Sequence, residues 1–165
     1  MKSRVLGKFL MGLLFSAASL EASASASPSV PTPSAIEWQG WSDAAFERAR
    51  VEKRLVILDL VAVWCHWCHV MEETTYRDPA VIGAIGAHFV ALRVDQDSRP
   101  DLSNRYEDYG WPATIIFDAS GKELVKFAGY IPPERMRTLL AGVVADPTPG
   151  PSVRETENGE RERKG

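Results

Sequence analysis

The most continuous run of apolar residues in the chain extends from Leu55 to Val63, and many of its members are β-branched. Such a run is typical of a strand that is covered on both faces of a sheet. It leads directly into Cys65-His66-Trp67-Cys68. The pattern therefore predicts a buried strand that delivers two cysteines to the start of a helix.

Helical patterns precede and follow this strand. A helix is predicted from Trp41 to about Lys53, with Ser42 as its N-cap. Residues 66–76 have helical composition, and Asp78-Pro79 supplies the cap and first-turn proline of a further helix that ends near residue 87. A second apolar strand follows over residues 88–95. Because strand, helix and strand come in this order, the two strands should be parallel.

The second half of the domain has a different pattern. Residues 97–110 are polar and predict a loop with one helical turn, which ends at Gly110-Trp111-Pro112. Two short apolar runs, residues 113–117 and 123–127, flank a glycine-containing turn and predict a β-hairpin. Pro132-Pro133 opens a final helix with apolar residues at helical spacing. We expect an α/β domain over residues 37–145.

The N-terminus has the pattern of an export signal. Basic residues precede an apolar run from residue 9 to residue 20, and small residues follow it. We predict a signal peptide over 1–24, a flexible linker over 25–36 and a disordered charged tail over 146–165. The apolar run is short for a membrane span, so no stable membrane insertion is expected after cleavage, although an uncleaved anchor is the alternative. The protein is expected to be exported to the periplasm or secreted.

Composition narrows the function further. The 165-residue chain has a formal net charge of -3 and no basic excess, which argues against nucleic-acid binding. It has two cysteines. Exported cysteines usually form structural disulfides, but a bridge across two residues closes too short a loop to stabilise much. Electron transfer or ligation explains the pair better.

The position of each cysteine predicts its chemistry. Cys65 lies at a helix start, where free backbone N–H groups and the helix dipole favour a thiolate, so it should be the attacking sulfur. Cys68, one turn later, is placed to resolve a mixed disulfide. A protonated His66 would lower the pKa of Cys65 further. The alternative is that His66 is only a solvated helix residue.

Further residues near the cysteines are candidates for the site. Asp59 interrupts the buried strand, where an unpaired charge is costly; it is predicted to accept a proton from Cys68, or else to be paired for structure alone. Trp67 and Trp111 could line a substrate groove, or could pack the edge of the core. Glu72 is expected on a solvated helix face. Since only about 5% of X-Pro bonds are cis, frequency alone predicts a trans bond at Pro112.

Two other chemistries fit the same motif. Cys65-His66-Trp67-Cys68-His69 satisfies the pattern for covalent attachment of c-type haem. Cys65, Cys68, His69 and Met71 together offer sulfur and imidazole ligands suited to copper or zinc, although four ligands at one helix start do not converge easily. A domain that binds polypeptides without using its cysteines is a third alternative.

The run Asp59 to Cys68, with Gly110-Trp111-Pro112 before a hairpin and a final helix, resembles a thioredoxin fold. It is similar to the C-terminal reductase domain of the membrane electron transporter DsbD. It resembles still more the thioredoxin-like N-terminal domain of the spermatogenesis-associated protein family, since that similarity extends to Arg99-Pro100-Asp101. The dipeptide between the cysteines, His-Trp, differs from that of thioredoxin, and we expect no counterpart of the large family's following domain in the charged tail after residue 145.

The resemblance implies roles for individual residues. Cys65 would be the nucleophile, Cys68 the resolving cysteine, Asp59 the buried acid and Pro112 a cis-proline that faces the disulfide. The Trp111 backbone would then pair with an incoming extended peptide.

Together, the residues and the resemblance predict an exported thiol-disulfide oxidoreductase that acts as a reductase. Its partners would be disulfide-containing or dithiol proteins, and an upstream electron donor would reduce it again. No cofactor is expected other than its redox-active disulfide, and no metal.

Overall fold

The computed structural model describes residues 34–150, which form a four-stranded mixed sheet with helices on both faces. The strands are β1 (Leu55–Val61), β2 (Phe89–Asp95), β3 (Ala113–Phe117) and β4 (Glu123–Ala128), and their order in the sheet is β2-β1-β3-β4. β1 and β2 are parallel, whereas β3 is antiparallel to both β1 and β4. The predicted βαβ unit and hairpin are confirmed. The predicted signal peptide and most of the predicted linker and tail lie outside the described residues.

Local sequence signals explain where the helices begin. The helices are α1 (Asp43–Glu52), α2 (His66–Glu73), α3 (Pro79–His88), α4 (Pro100–Tyr106) and α5 (Pro133–Ala145). The Ser42 side chain accepts a hydrogen bond from the N–H of Ala45 at the start of α1 (3.3 Å). The Asp78 carboxylate caps α3 in the same way, and a proline follows it. Within residues 34–150, no helix combines the length and apolar character that crossing a bilayer requires.

Two hydrophobic clusters, one on each face of the sheet, form the core. Ile57 and Ile116 face a cluster with residues of α2, α3 and α5, including Met71. Val56 and Leu58 face the other cluster with residues of α1 and α4. Since both faces of β1 are covered, its sequence is apolar at every position except Asp59 rather than alternating.

The structure differs from the sequence prediction in two segments. The helix expected over residues 66–76 ends at Glu73 and continues as a 3-10 turn over Thr75–Arg77. The segment 97–110, predicted as a loop with one helical turn, contains α4 and a further 3-10 turn over Glu107–Tyr109. α4 forms because Leu102 and Tyr106, four residues apart, are both buried against the sheet.

The strand pairing determines where the cysteines lie. β1 is an inner strand of the sheet and ends four residues before Cys65. Leu60 near that end is paired with Ala113, the first residue of β3. The Trp111-Pro112 segment is therefore brought to the same end of β1 as the start of α2.

Candidate redox site

Cys65 and Cys68 form a disulfide at the N-terminus of α2, with their Cα atoms 5.3 Å apart. Cys65 is the N-cap residue, and its Sγ accepts a hydrogen bond from the N–H of Cys68 (3.1 Å). The two residues are 4% and 7% exposed and share a small cluster with Ala62 and Trp111. The predicted pairing at a helix start is confirmed, and the residues around the sulfurs leave little of either one open to solvent.

The helix terminus favours one of the two sulfurs once the disulfide is reduced. The first-turn N–H groups of α2 have no partner inside the helix, and the positive end of its dipole points at Cys65. Both effects stabilise a thiolate at Cys65 relative to a thiol. The ring of His66 is exposed and lies 5.4 Å from that of Trp67 in an edge-on contact. A role for His66 in tuning the pKa of Cys65 remains a prediction.

Asp59 is the buried acid of the site and is only 1% exposed. Its Oδ2 accepts a hydrogen bond from Nε of Arg93 (2.9 Å), while its Oδ1 is buried and accepts none from the described residues. Burial raises the pKa of Asp59 to about 6, and the charge of Arg93 only partly offsets this effect. The carboxyl group therefore titrates near neutrality, and the buried Tyr76 hydroxyl is a further neighbour whose interaction lowers its pKa.

Arg93 is the residue of the site that sequence reasoning missed. It lies opposite Asp59 in the parallel pairing of β1 and β2. Its guanidinium also forms an ion pair with Glu72, and it stacks over the rings of Trp38 (4.1 Å) and Tyr76 (5.4 Å). Glu72 was predicted on a solvated face; its side chain is partly exposed, but it is held by this ion pair. One cation thus connects a buried and a half-exposed carboxylate.

A cavity of about 170 Å³ is lined by two members of this charged group and by one of the two cysteines. Its lining includes Cys68, His69, Glu72 and Arg93 but not Cys65. Its volume is large enough for water molecules, and its lining carries polar groups that can bind them. Cys68, rather than the N-cap cysteine, therefore shares this cavity with Arg93, while Asp59 lies outside its lining.

Two pairs of aromatic side chains flank the disulfide. The ring centroids of Trp64 and Trp111 are 5.9 Å apart, and those of Trp67 and Tyr130 are 5.7 Å apart. Trp64 and Trp67 are 65% and 55% exposed. Tyr130 had no assigned role in the sequence analysis. It directly follows Gly129, whose positive φ of 82° turns the chain at the end of β4.

The bond between Trp111 and Pro112 is cis in the structure, as the resemblance implied and in contrast to the trans bond that frequency alone predicts. Pro112 is buried, and its carbonyl oxygen accepts a hydrogen bond from the N–H of Gly129 (2.8 Å). The disulfide, Trp67, Trp111 and Pro112 thus lie at one end of the sheet, together with the buried Asp59. Their predicted roles in catalysis and substrate binding remain predictions.

The ligands considered for a soft metal do not come together in this structure. Met71 is fully buried in the core cluster that contains Ile57, whereas the two cysteines belong to a separate small cluster. Nε2 of His69 is 3.1 Å from the carbonyl oxygen of Val63. Between residues 34 and 150, no three His, Cys, Asp or Glu side chains are grouped as a metal site would require.

Comparisons with known proteins agree with this architecture. The chain is 31% identical to human spermatogenesis-associated protein 20 over 109 residues, which are 60% of this chain and 14% of that protein. It is 39% identical to the thiol:disulfide interchange protein DsbD of Ralstonia nicotianae over 106 residues, 61% of this chain and 17% of that protein. The chain thus spans less than a fifth of the length of these relatives.

A solved structure of a thioredoxin from Thermus thermophilus superimposes with a TM-score of 0.60 at 23% identity, and covers 67% of this chain and 88% of that one. The predicted thioredoxin fold is confirmed. The family model Thioredox_DsbH, described as a protein of unknown function, DUF255, matches residues 19–145. With more than half of its length matched, the chain belongs to this thioredoxin-like DUF255 family.

Proposed function

We propose that this protein is an exported thiol-disulfide oxidoreductase that reduces disulfides in partner proteins. The observation that carries the proposal is the Cys65-Cys68 disulfide at the N-terminus of α2, with a buried carboxylate of raised pKa on the strand that leads to it. A helix start lowers the pKa of a thiol, and a carboxyl that titrates near neutrality can move protons at physiological pH. Few structural disulfides need either property.

The first step is attack on the partner. In the reduced protein the Cys65 thiolate attacks one sulfur of a partner disulfide, which forms a mixed disulfide and releases the other partner sulfur as a thiolate. The free N–H groups of α2 stabilise the attacking anion before reaction. The released partner sulfur takes a proton from solvent.

The second step returns the partner in its reduced form. Cys68 loses its proton and attacks Sγ of Cys65, so that the Cys65-Cys68 disulfide forms and the second partner sulfur leaves as a thiolate, which takes a proton from solvent. Asp59, the buried carboxylate on the strand that leads to the cysteines, accepts the proton of Cys68. Arg93 is a positioning residue in this step, because it holds Oδ2 of Asp59 and leaves Oδ1 free.

The cycle transfers two electrons from the protein to its partner, so a dithiol donor must reduce the disulfide again. Sequence similarity to DsbD, a thiol:disulfide interchange protein, supports thiol-disulfide exchange with partner proteins. The basic and apolar pattern of the N-terminus supports export, where disulfides in partner proteins persist. Trp67, Trp111 and Pro112 would contact the partner segment.

Trapping of the mixed disulfide tests the proposal. In Cys68→Ser the second step is blocked, so we expect covalent complexes with partner proteins that a reductant releases. Cys65→Ser is the matched control and should trap little, because its remaining cysteine is not at the helix terminus. Equal trapping by both variants, or none by either, would contradict the assigned roles.

The reduction potential of the cysteine pair tests whether the protein reduces or oxidises its partners. Equilibration with glutathione buffers gives the reduction potential of the pair, and a reductase should lie nearer the value of about −270 mV found for thioredoxin. A potential near about −120 mV, typical of strong oxidants, would contradict the assignment as a reductase.

A further inference from the structure

A short arm in front of α1, residues 36–39, lies against the strand that carries Arg93. Gln39 in this arm forms a parallel bridge with Leu92 of β2, which is an edge strand of the sheet. The N–H of Gln39 donates a hydrogen bond to the carbonyl oxygen of Ala91 (3.1 Å), and the N–H of Arg93 donates one to the carbonyl oxygen of Gln39 (2.9 Å). The backbone therefore fixes the arm next to Arg93.

The arm places the ring of Trp38 over the guanidinium of Arg93. The distance from the guanidinium carbon to the ring centroid is 4.1 Å, well within the roughly 6 Å at which an aromatic ring attracts a cation. A ring on the face of a guanidinium leaves the N–H donors on its edge free for carboxylates. Two of the nitrogens of Arg93 are used in this way, one for Asp59 and one for Glu72. Trp38 thus restricts the guanidinium to the position in which it reaches both carboxylates.

From these contacts we infer that Trp38 is a positioning residue of the redox site, which holds Arg93 against Asp59 and so determines how readily Asp59 takes the proton of Cys68. This inference rests on the proposed function, in which Asp59 is the proton acceptor. Trp38 acts through Arg93, so it is not a catalytic residue. The segment before α1 is thereby part of the site, although it precedes the βαβ unit that carries the cysteines.

Loss of the Trp38 ring should weaken the ion pair before it hydrates the acid. A cavity of about 400 Å³, which is large enough for water, is lined by Trp38, Glu72 and Tyr76 among others. In Trp38→Ala, water should reach the guanidinium first, because the side chain of Arg93 is 24% exposed and that of Asp59 only 1%. A hydrated guanidinium that is free to rotate stabilises the Asp59 carboxylate less, so the pKa of Asp59 should rise.

Three charged or titratable groups face the Asp59 carboxyl from the elements packed against it. Arg93 comes from β2, Glu72 from α2 and Tyr76 from the 3-10 turn after α2, while the residue opposite Asp59 on β3 is an uncharged threonine. Burial raises the pKa of Asp59 most; the interactions with Arg93 and Tyr76 lower this pKa, and that with Glu72 raises it. Trp38 also contacts the ring of Tyr76 edge-on (4.9 Å), so its effect through Arg93 has to be separated from one through Tyr76.

Carboxyl NMR titration of the oxidised full-length protein measures the pKa of Asp59. Trp38→Ala should raise that pKa above about 6, by about half a unit or more, because a partly buried contact between a cation and a ring contributes about this much. Trp38→Leu, which fills part of the space without an aromatic face, should shift it in the same direction, whereas Trp38→Phe should stay nearer the wild type. Trp41→Leu is the matched control, since it removes a partly buried tryptophan from the cluster on the other face of the sheet and should leave the pKa unchanged.

A double-mutant cycle shows whether Trp38 acts through Arg93. In Arg93→Leu the guanidinium is already absent, so the addition of Trp38→Ala should change the pKa of Asp59 little further. A second shift as large as the first would overturn the inference, because Trp38 would then act through Tyr76 or through burial alone. A fall of the pKa in Trp38→Ala would also overturn it, since the ring would then serve only to exclude water.

The resolving step gives the functional measurement. The pre-reduced protein is mixed with one equivalent of an aryl disulfide whose thiolate is coloured. Cys65 attacks this disulfide and releases the first aryl thiolate; Cys68 then attacks Sγ of Cys65 and releases the second, so that the aryl disulfide gains two electrons. Stopped-flow absorbance at several pH values gives the rate of each release. The pH midpoint of the second release should move upward in Trp38→Ala, because Asp59 accepts a proton only when it is ionised.

The outcomes separate this inference from the proposed function. If the wild type releases both thiolates but the midpoint of the second release stays unchanged in Trp38→Ala, the role of Trp38 is wrong and the oxidoreductase assignment stands. The same conclusion follows if Trp38→Ala slows both releases equally at every pH, because that result indicates a structural defect. If the wild type releases no second thiolate, the proposed function itself fails.

Discussion

Asp59→Asn should change how the stability of the protein depends on pH. Burial raises the pKa of Asp59 from its ordinary value of 3.8 to about 6 in the folded protein. A carboxyl whose pKa is raised by folding stabilises the fold most when it is protonated. Its favourable contribution is complete below 3.8, and it is lost as the pH rises through about 6.

The size of the effect follows from the two pKa values. The difference between a pKa of 3.8 in the unfolded chain and about 6 in the folded protein corresponds to about 3 kcal/mol. The fold is destabilised by this amount at a pH where Asp59 is ionised in both states. Most of this change, about 2 kcal/mol, falls between about pH 4 and about pH 8. Asparagine has nearly the same shape but does not titrate. As the pH rises over that range, the free energy of unfolding of Asp59→Asn should therefore increase by about 2 kcal/mol relative to that of the wild type.

Urea unfolding of the oxidised full-length protein, followed by circular dichroism, measures this difference. The ion pair with Arg93 that the variant loses exists only while Asp59 is ionised, so its effect on stability is already contained in the pKa of about 6. Asp97→Asn removes an exposed carboxylate and is the matched control, for which we expect the pH dependence of the wild type. Parallel curves for the wild type and Asp59→Asn would refute the assignment of a buried carboxyl that titrates near neutrality.

Three further results are expected. In the reduced protein at mildly acidic pH, iodoacetamide should label Cys65 faster than free cysteine and Cys68 more slowly, because only Cys65 lies at the start of α2; equal labelling would contradict the helix-terminus argument. Arg93→Leu should raise the pKa of Asp59 above about 6, because Arg93 opposes the effect of burial; carboxyl NMR titration measures it, and an unchanged pKa would count against the ion pair. Asp78→Ala should lower the free energy of unfolding by about 1 kcal/mol, because it removes the N-cap of α3; urea unfolding measures this, and a loss of only a few tenths would show that the cap is dispensable.

Regular patterns made most of the fold predictable. β1 to β4 are short apolar runs between turn residues, and α1, α3 and α5 start at side chains that cap helices or at prolines. The length of α4 was predicted as only one turn because the composition of this segment is polar. Leu102 and Tyr106 were the available signal, since apolar residues four apart behind Pro100 are typical of a helix that packs on a sheet.

The site was only partly predictable, because its contacts depend on strand register. Asp59 and the cysteines are conspicuous in the sequence, since each interrupts or ends an apolar run. Arg93 also interrupts an apolar strand, but nothing in the sequence alone shows that it lies directly opposite Asp59. The contact between Trp67 and Tyr130 depends in the same way on how the chain turns after β4.

The pairing of Leu60 with Ala113 has a consequence for biogenesis. Because the two cysteines are only three residues apart in the sequence, a nascent chain can form the Cys65-Cys68 disulfide before any tertiary structure exists. The surface proposed to contact partner segments includes Trp111, from a distant part of the polypeptide, and it assembles only after β3 has docked on β1. We therefore expect a half-folded molecule to be oxidised before it is able to bind a partner protein.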